Sequence, residues 1–376
     1  MIDLAAEFPL DPALVHLNHA GVAPWPARTR RAVCDFADEN TRLGSLHYPD
    51  WQAREARLRA QFAQLINAPS ADDIALLKNT SEALSLVAFG LDWRRGDNVV
   101  GPAGEFPSNR LVWEALGPRF GVQYRAVPLD GQDDPEAALM AAVDGDTRLL
   151  AVSAVQYASG LRLDLVRLGE FCRTRGALLC VDAIQQLGAL PFDVQACQAD
   201  FVAADGHKWL LGPEGVALFY CRSEARERLH LQQFGWHMVA AMGDFERRDW
   251  RPADSARRFE AGSPNNLGIA AQSASLSLLL AVGMPAVAEA LATRVAAVIE
   301  QARRRGFPLR SPTAAARRAG IVTFHVPGVD NRRLYARLIA AGVLCAQRLD
   351  GLRFSPHFYT PPAAIEAAFE RLDALR

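Results

Sequence analysis

Between about residue 73 and residue 220, short apolar runs alternate with amphipathic stretches. IALL, NVVGPA, TRLLAVSAVQY (147–157), ALLCVD and FVAAD read as buried strands. The segments between them place apolar residues at three- and four-residue spacings, as helices do. Such alternation predicts a mainly parallel, doubly wound sheet with helices on both faces. Upstream, helical patterns cover Ala27–Leu43 and Tyr48–Ile66. Downstream the pattern loosens: RRDWRPADSARR (Arg247–Arg258) reads as exposed surface or a mobile loop, and a long Ala/Leu-rich helix stops at Gly306. The chain then carries a strand IVTFHV (321–326), a helix Arg332–Ala341, strands GVLCA and GLRFSPHFY, and a last helix from Pro361. The division expected is an arm (1–14), a large α/β domain (15–255) and a smaller C-terminal α/β domain (256–376).

Composition narrows the class. With 376 residues, 50% hydrophobic and 22% charged, the chain is that of an ordinary globular enzyme. A net charge of −1 gives no electrostatic reason to expect nucleic acid or an anionic membrane as partner. The six cysteines show no metal-binding spacing and several sit in apolar runs, so no metal is expected and reduced thiols in a cytoplasmic protein are. The start, MIDLAAEFPL, lacks the charge and apolar pattern of a secretory signal. The apolar region Leu276–Ala288, interrupted by Gly283 and Pro285, reads as a core helix and not a membrane span.

One stretch carries the chemistry, FVAADGHKWLLGPEGVALFY (201–220). It reads as strand, polar turn, glycine-marked loop and second strand, with Lys208 wedged between His207 and Trp209. Burial and a neighbouring positive charge favour a neutral amine, the form that attacks a carbonyl. The chain has 41 Lys and Arg together but only two lysines, Lys78 and Lys208, and arginine stays protonated. Only these two residues can therefore form an imine. The alternative is a loop lysine paired with a carboxylate. At Asn79-Thr80-Ser81 a helix cap creates an anion site of free N–H groups, although most such caps merely start helices. Asp182 ends an apolar strand and so points into the crevice at the strand's carboxyl end.

DGHKWLLGPEG resembles the lysine signature of the class V aminotransferases, enzymes of pyridoxal 5′-phosphate (PLP), with Asp205 where that family usually has Ser. The resemblance covers nearly the whole chain. It implies PLP fold type I, with Lys208 linked to the cofactor and acting as base at the substrate Cα. It implies that Thr80, Ser81 and His207 hold the phosphate, that Asp182 faces the ring nitrogen, that Gln185 bonds the ring hydroxyl, and that Phe106 stacks on the ring. Asp205 lies in the same cradle, where a carboxylate repels a phosphate unless His207 is protonated or Asp205 turns away. FEAGSPNNLG (259–268) resembles a stretch that reaches the other subunit's phosphate through Ser263, which implies a homodimer. On the substrate side the resemblance points to His19 in HLNHAG, Tyr157 in VQYASG and Arg353 in LRFSPHFYT, the last pairing with a carboxylate.

The activity so implied is aminotransferase- or lyase-type on a small amino acid. Desulfurase, selenocysteine lyase-like or epimerase chemistry is the alternative, and a non-catalytic binding module of the same fold the rival of another class. Desulfurases of this kind carry a catalytic Cys on a loop before the substrate Arg, and the candidate here is Cys345. Cys345 ends an apolar strand, and only residues 346–352 separate it from Arg353, which leaves little chain for a mobile loop. Tyr157 also stands where desulfurases have Asn, a form closer to the kynureninase branch. A standard desulfurase is therefore not expected.

Overall fold

The alternation between residues 73 and 220 is realised in the computed structural model, which describes residues 2–376. In chain order the strands are β1 (Val15–His16), β2 (Ile74–Leu77), β3 (Asn98–Pro102), β4 (Gln123–Val127), β5 (Thr147–Ser153) and β6 (Leu178–Asp182). They continue with β7 (Phe201–Asp205), β8 (Ala217–Cys221), β9 (Val322–Phe324), β10 (Val343–Leu344), β11 (Ala346–Arg348) and β12 (Gly351–Phe354). The large sheet has the order β2-β8-β7-β6-β5-β3-β4. Only β8 runs against the other six. β3, β6, β7 and β8 are buried along their whole length, because helices cover both faces; hence apolar runs and not alternation. The six parallel strands share one carboxyl edge, and the loops after Leu77, Pro102, Ser153, Asp182 and Asp205 collect there.

The helices Ala27–Leu43 and Tyr48–Ile66 fall where the periodicity places them. The long Ala/Leu-rich segment is two helices, Asn266–Val282 and Met284–Arg304, meeting at 84° at Gly283, whose φ of 85° disfavours any side chain. No single helix among the described residues is long and apolar enough to cross a membrane. Leu276, Leu278 and Leu279 of the first helix pack into the large core with Leu58 and Phe62. Leu291, Val295 and Val298 of the second pack with Phe324 and Phe354 in a second core. Met284 and Val287 at the start of the second helix still pack in the large core, so the change of core falls within that helix, between Val287 and Leu291. The helix 266–282 is buried along most of its length, and such a helix must sit between layers.

The chain start also crosses the expected boundaries. Asp3 caps the helix Leu4–Glu7, Glu7 pairs with Arg28 at 2.8 Å, and Phe8 stacks on Tyr359 with ring planes 2° apart, so the arm is anchored at Glu7 and Phe8 while residues 9–14 run exposed over the surface. β1 pairs in parallel with β10, which places residues 15–16 in the smaller unit. That unit is completed by the antiparallel sheet β11-β12-β9. β11 and β12 form a hairpin whose turn, Leu349-Asp350, has positive φ at both residues (49° and 58°), the mirror-image turn that matches strand twist.

Candidate active site

The loop after β7 is closed on itself and held from below. Gly212 N–H donates to the Gly206 carbonyl at 2.9 Å. Gln272, fully buried on the helix 266–282, presses its carboxamide against both glycines: a Cβ at Gly206 or Gly212 would lie within 2 Å of its Oε1. Ser275 Oγ donates to the Leu211 carbonyl at 2.8 Å. Lys208, 9% exposed, is thereby fixed at the mouth of the crevice with Nζ 5.5 Å from the centroid of the Phe106 ring. Burial pulls its amine down to about 8, against the opposing pull of Asp182. Lys78 is exposed and shows no such environment.

Asp182 ends β6, 3% exposed, with Oδ1 accepting from Ile184 N–H at 3.1 Å. Burial pushes it up to about 6, while that N–H and the Lys208 charge work the other way. Beside it in register is Ser153 of β5, which donates through both backbone and hydroxyl to the carboxylate of Glu105. Burial raises Glu105 to about 7, and the Asp182 charge adds to the rise. Glu105 anchors the loop that presents Phe106, which is 38% exposed and so is no core residue. Tyr157 meets the Phe106 ring edge-on, centroids 5.2 Å apart.

At the other end of the crevice lies the start of helix Thr80–Gly90. Asn79 caps the Glu82 N–H, leaving the Thr80 and Ser81 amides as an anion site. Thr80 is buried, and its Oγ1 accepts from Asp205 N–H at 3.1 Å, tying the helix to the end of β7. Ser81 is exposed and its hydroxyl meets Ser108 at 2.8 Å. Asp205 turns to its own loop: Oδ1 accepts from Gly206 N–H and Oδ2 lies 3.1 Å from His207 Nδ1. That contact is poorly angled for a hydrogen bond, and Nδ1 has no other partner.

The substrate-side expectations divide. Arg353, 1% exposed, donates to the Tyr157 carbonyl at 2.7 Å and to Asn18 Oδ1 at 3.1 Å, while its Nε is buried without a partner. Burial and the Arg348 charge pull it down to about 9, and no carboxylate among the described residues pairs with it. Tyr157 thus serves through its carbonyl as well as its ring. His19 faces inward. It is fully buried, with Nδ1 on the Ser355 carbonyl (2.8 Å) and Nε2 on the Tyr359 hydroxyl (2.7 Å), so both nitrogens are engaged and none is offered to a substrate. Its neighbour Asn18 is the residue that reaches Arg353. Gln185 donates to the Ala20 carbonyl and accepts from Trp209 Nε1, so a single N–H of its amide remains for a ligand.

Arg348, Asn18 and Glu105 escape sequence reasoning. The Asp350-Gly351 dipeptide marks the hairpin that brings Arg348 round to Arg353 and is the one signal that could have found it. Ser263 is exposed in a surface hollow with Lys78 and Glu82, and no contact joins it to Lys208. Elsewhere Glu55, His237 and Glu260 cluster in the interior, but Arg59 Nη2 lies 2.6 Å from Glu260 and fills the cation's place.

A buried, deprotonable lysine, a strand-end carboxylate, an open aromatic face and a helix-start anion site on one sheet edge define a PLP enzyme of fold type I. The chain belongs to the class V aminotransferase family, whose model matches residues 16–356. It is 36% identical to a probable cysteine desulfurase of Methanothermobacter thermautotrophicus over 288 residues, 75% of this chain and 70% of that one. It is 30% identical to an uncharacterized aminotransferase of Bacillus subtilis over 346 residues, 92% and 90% of the two chains. An apo cysteine desulfurase from Thermococcus onnurineus superposes with a TM-score of 0.88 at 24% identity, over 99% and 97% of the chains.

Proposed function

We propose that this PLP enzyme removes the α-proton of a carboxylate-bearing amino acid and expels its β-substituent, a lyase reaction without a protein-bound sulfur intermediate. The residues present fit the cofactor: unpaired amides of Thr80 and Ser81 with the orphaned His207 Nδ1 suit its phosphate, Asp182 its ring nitrogen, the remaining N–H of Gln185 its hydroxyl, and the open face of Phe106 its ring. Bound there, PLP supplies an electron sink for negative charge at the substrate Cα. Lys208 would hold the cofactor covalently, and its amine is the group placed to take the proton from the substrate Cα. Arg353 holds the α-carboxylate, the anion that its buried, unpaired Nε calls for. Exposed Ser263 supports a homodimer in which that hydroxyl completes the partner's site. Five cysteines buried as free thiols are in keeping with a reducing, cytoplasmic setting.

The observation that carries the choice of lyase over desulfurase is the position of Cys345. It packs in the second core with Leu352 and Phe354, on the side of the hairpin away from Arg353. Burial pushes its thiol up to about 12, so it is no nucleophile at neutral pH. The test is product analysis with L-cysteine. A lyase releases sulfide, pyruvate and ammonia; a desulfurase releases alanine, and an aminotransferase releases no ammonia. Alanine as the main carbon product would overturn the reading.

A further inference from the structure

Arg348 and Arg353 leave the same face of one strand pair. Ala346 lies opposite Arg353, and Arg348 opposite Gly351. Side chains alternate along a strand, so Arg348 and Arg353 are diagonal neighbours on one face, roughly 7–8 Å apart at their origins. Gly351, directly across from Arg348, puts no side chain between them. The Arg348 guanidinium lies over the Tyr157 ring at 5.8 Å, the same ring that meets Phe106. Its Nε is buried without a partner, and its Nη1 donates only to the neighbouring Gln347 carbonyl. Neither arginine pairs with a carboxylate among the described residues.

A buried guanidinium and a half-buried one whose Nε is desolvated share one crevice, where they repel each other and are stabilised together when anions reach them. A substrate α-carboxylate accounts for Arg353. We propose that Arg348 receives a second anionic group, so that the substrate class is an α-amino acid whose departing β-substituent itself ends in a carboxylate. The separation of the two arginines on the hairpin sets the spacing of the two carboxylates, and Tyr157 orients the guanidinium plane between them. Arg348 is then the residue that selects among amino acids, while Arg353 accepts the part common to all of them. This rests on the lyase reading above.

The test uses two cysteine derivatives of equal size, S-carboxymethyl-L-cysteine and its neutral amide S-carbamoylmethyl-L-cysteine, with the holoenzyme. The wild type is expected to favour the carboxylate in kcat/KM by about tenfold or more. In Arg348→Met that ratio falls to about one, and Arg348→Lys keeps part of it. A binding arm needs no turnover: glutarate against butyrate, by calorimetric titration of the holoenzyme, is expected to show the same preference and the same loss. Binding preference without elimination would sink the lyase reading and leave this inference standing. Elimination without charge preference would overturn the inference, as would an Arg348→Met variant that weakens both members of each pair equally, since both arginines would then grip one carboxylate.

Discussion

Lys208 places its amine 5.5 Å from the centre of the Phe106 ring, on a loop fixed by a helix from outside the strand–helix alternation. Two sheet loops, after β3 and after β7, therefore meet across a gap with one reactive and one flat apolar side. Everything else in the crevice sets charge around that gap.

If Lys208 is the attachment point, borohydride treatment should fix the cofactor to the peptide containing Lys208 and not to that containing Lys78. Lys208→Ala should still bind PLP through its phosphate and ring contacts, while turnover falls by at least ~10³-fold. Mass spectrometry of the reduced, digested protein decides it. Modification at Lys78 would refute the assignment.

The lowered amine of Lys208 predicts a pH dependence for cofactor uptake by the cofactor-free protein. Only the neutral amine attacks, so the attachment rate should rise about tenfold per pH unit below about 8 and level off above it. Stopped-flow absorbance reports the rate. A plateau reached only above pH 10 would mean that burial does not act on this amine.

How much of this was legible in the sequence depends on where the signal lies. Lys208, Asp182, Phe106 and the Thr80 cap each follow the end of an apolar strand, and strand ends are visible as the place where an apolar run stops. A histidine beside a small-residue turn, such as His19, reads the same whether its nitrogens face a crevice or a core; its partners, the Ser355 carbonyl and the Tyr359 hydroxyl, are distant in sequence. Arg348 was missed because its place depends on a two-residue hairpin turn within a weakly patterned stretch. Helix 266–282 follows a loop-rich segment in sequence yet supports the Lys208 loop in space, a link that no local pattern carries.

Glu105 should make stability depend on pH in a direction opposite to most carboxylates. Its folded value is raised from 4.5 to about 7, so its contribution is complete below pH 4.5 and is lost as pH rises through 7. Glu105→Gln keeps an acceptor for Ser153 and cannot ionise. Relative to wild type, the variant should gain about 2–3 kcal/mol between pH 5 and pH 8. Urea midpoints at the two pH values measure the difference; a gain in the reverse direction would show that Glu105 is ionised throughout.

The last expectation concerns Cys345, where the sequence offers a desulfurase thiol and the fold withdraws it. A sulfur nucleophile must be a thiolate, exposed, and free to reach the substrate. Cys345 is 2% exposed and its thiol is held up at about 12 by burial. It stands on the apolar side of a hairpin whose two-residue turn leaves no loop to carry it round to Arg353. Cys345→Ala should therefore cost about 1 kcal/mol of stability through the lost packing. It should leave the rate of sulfide release from L-cysteine within about twofold of wild type, because a residue outside the crevice takes no part in transition-state binding. A variant that folds and binds PLP normally but releases no sulfide would return the chemistry to this thiol.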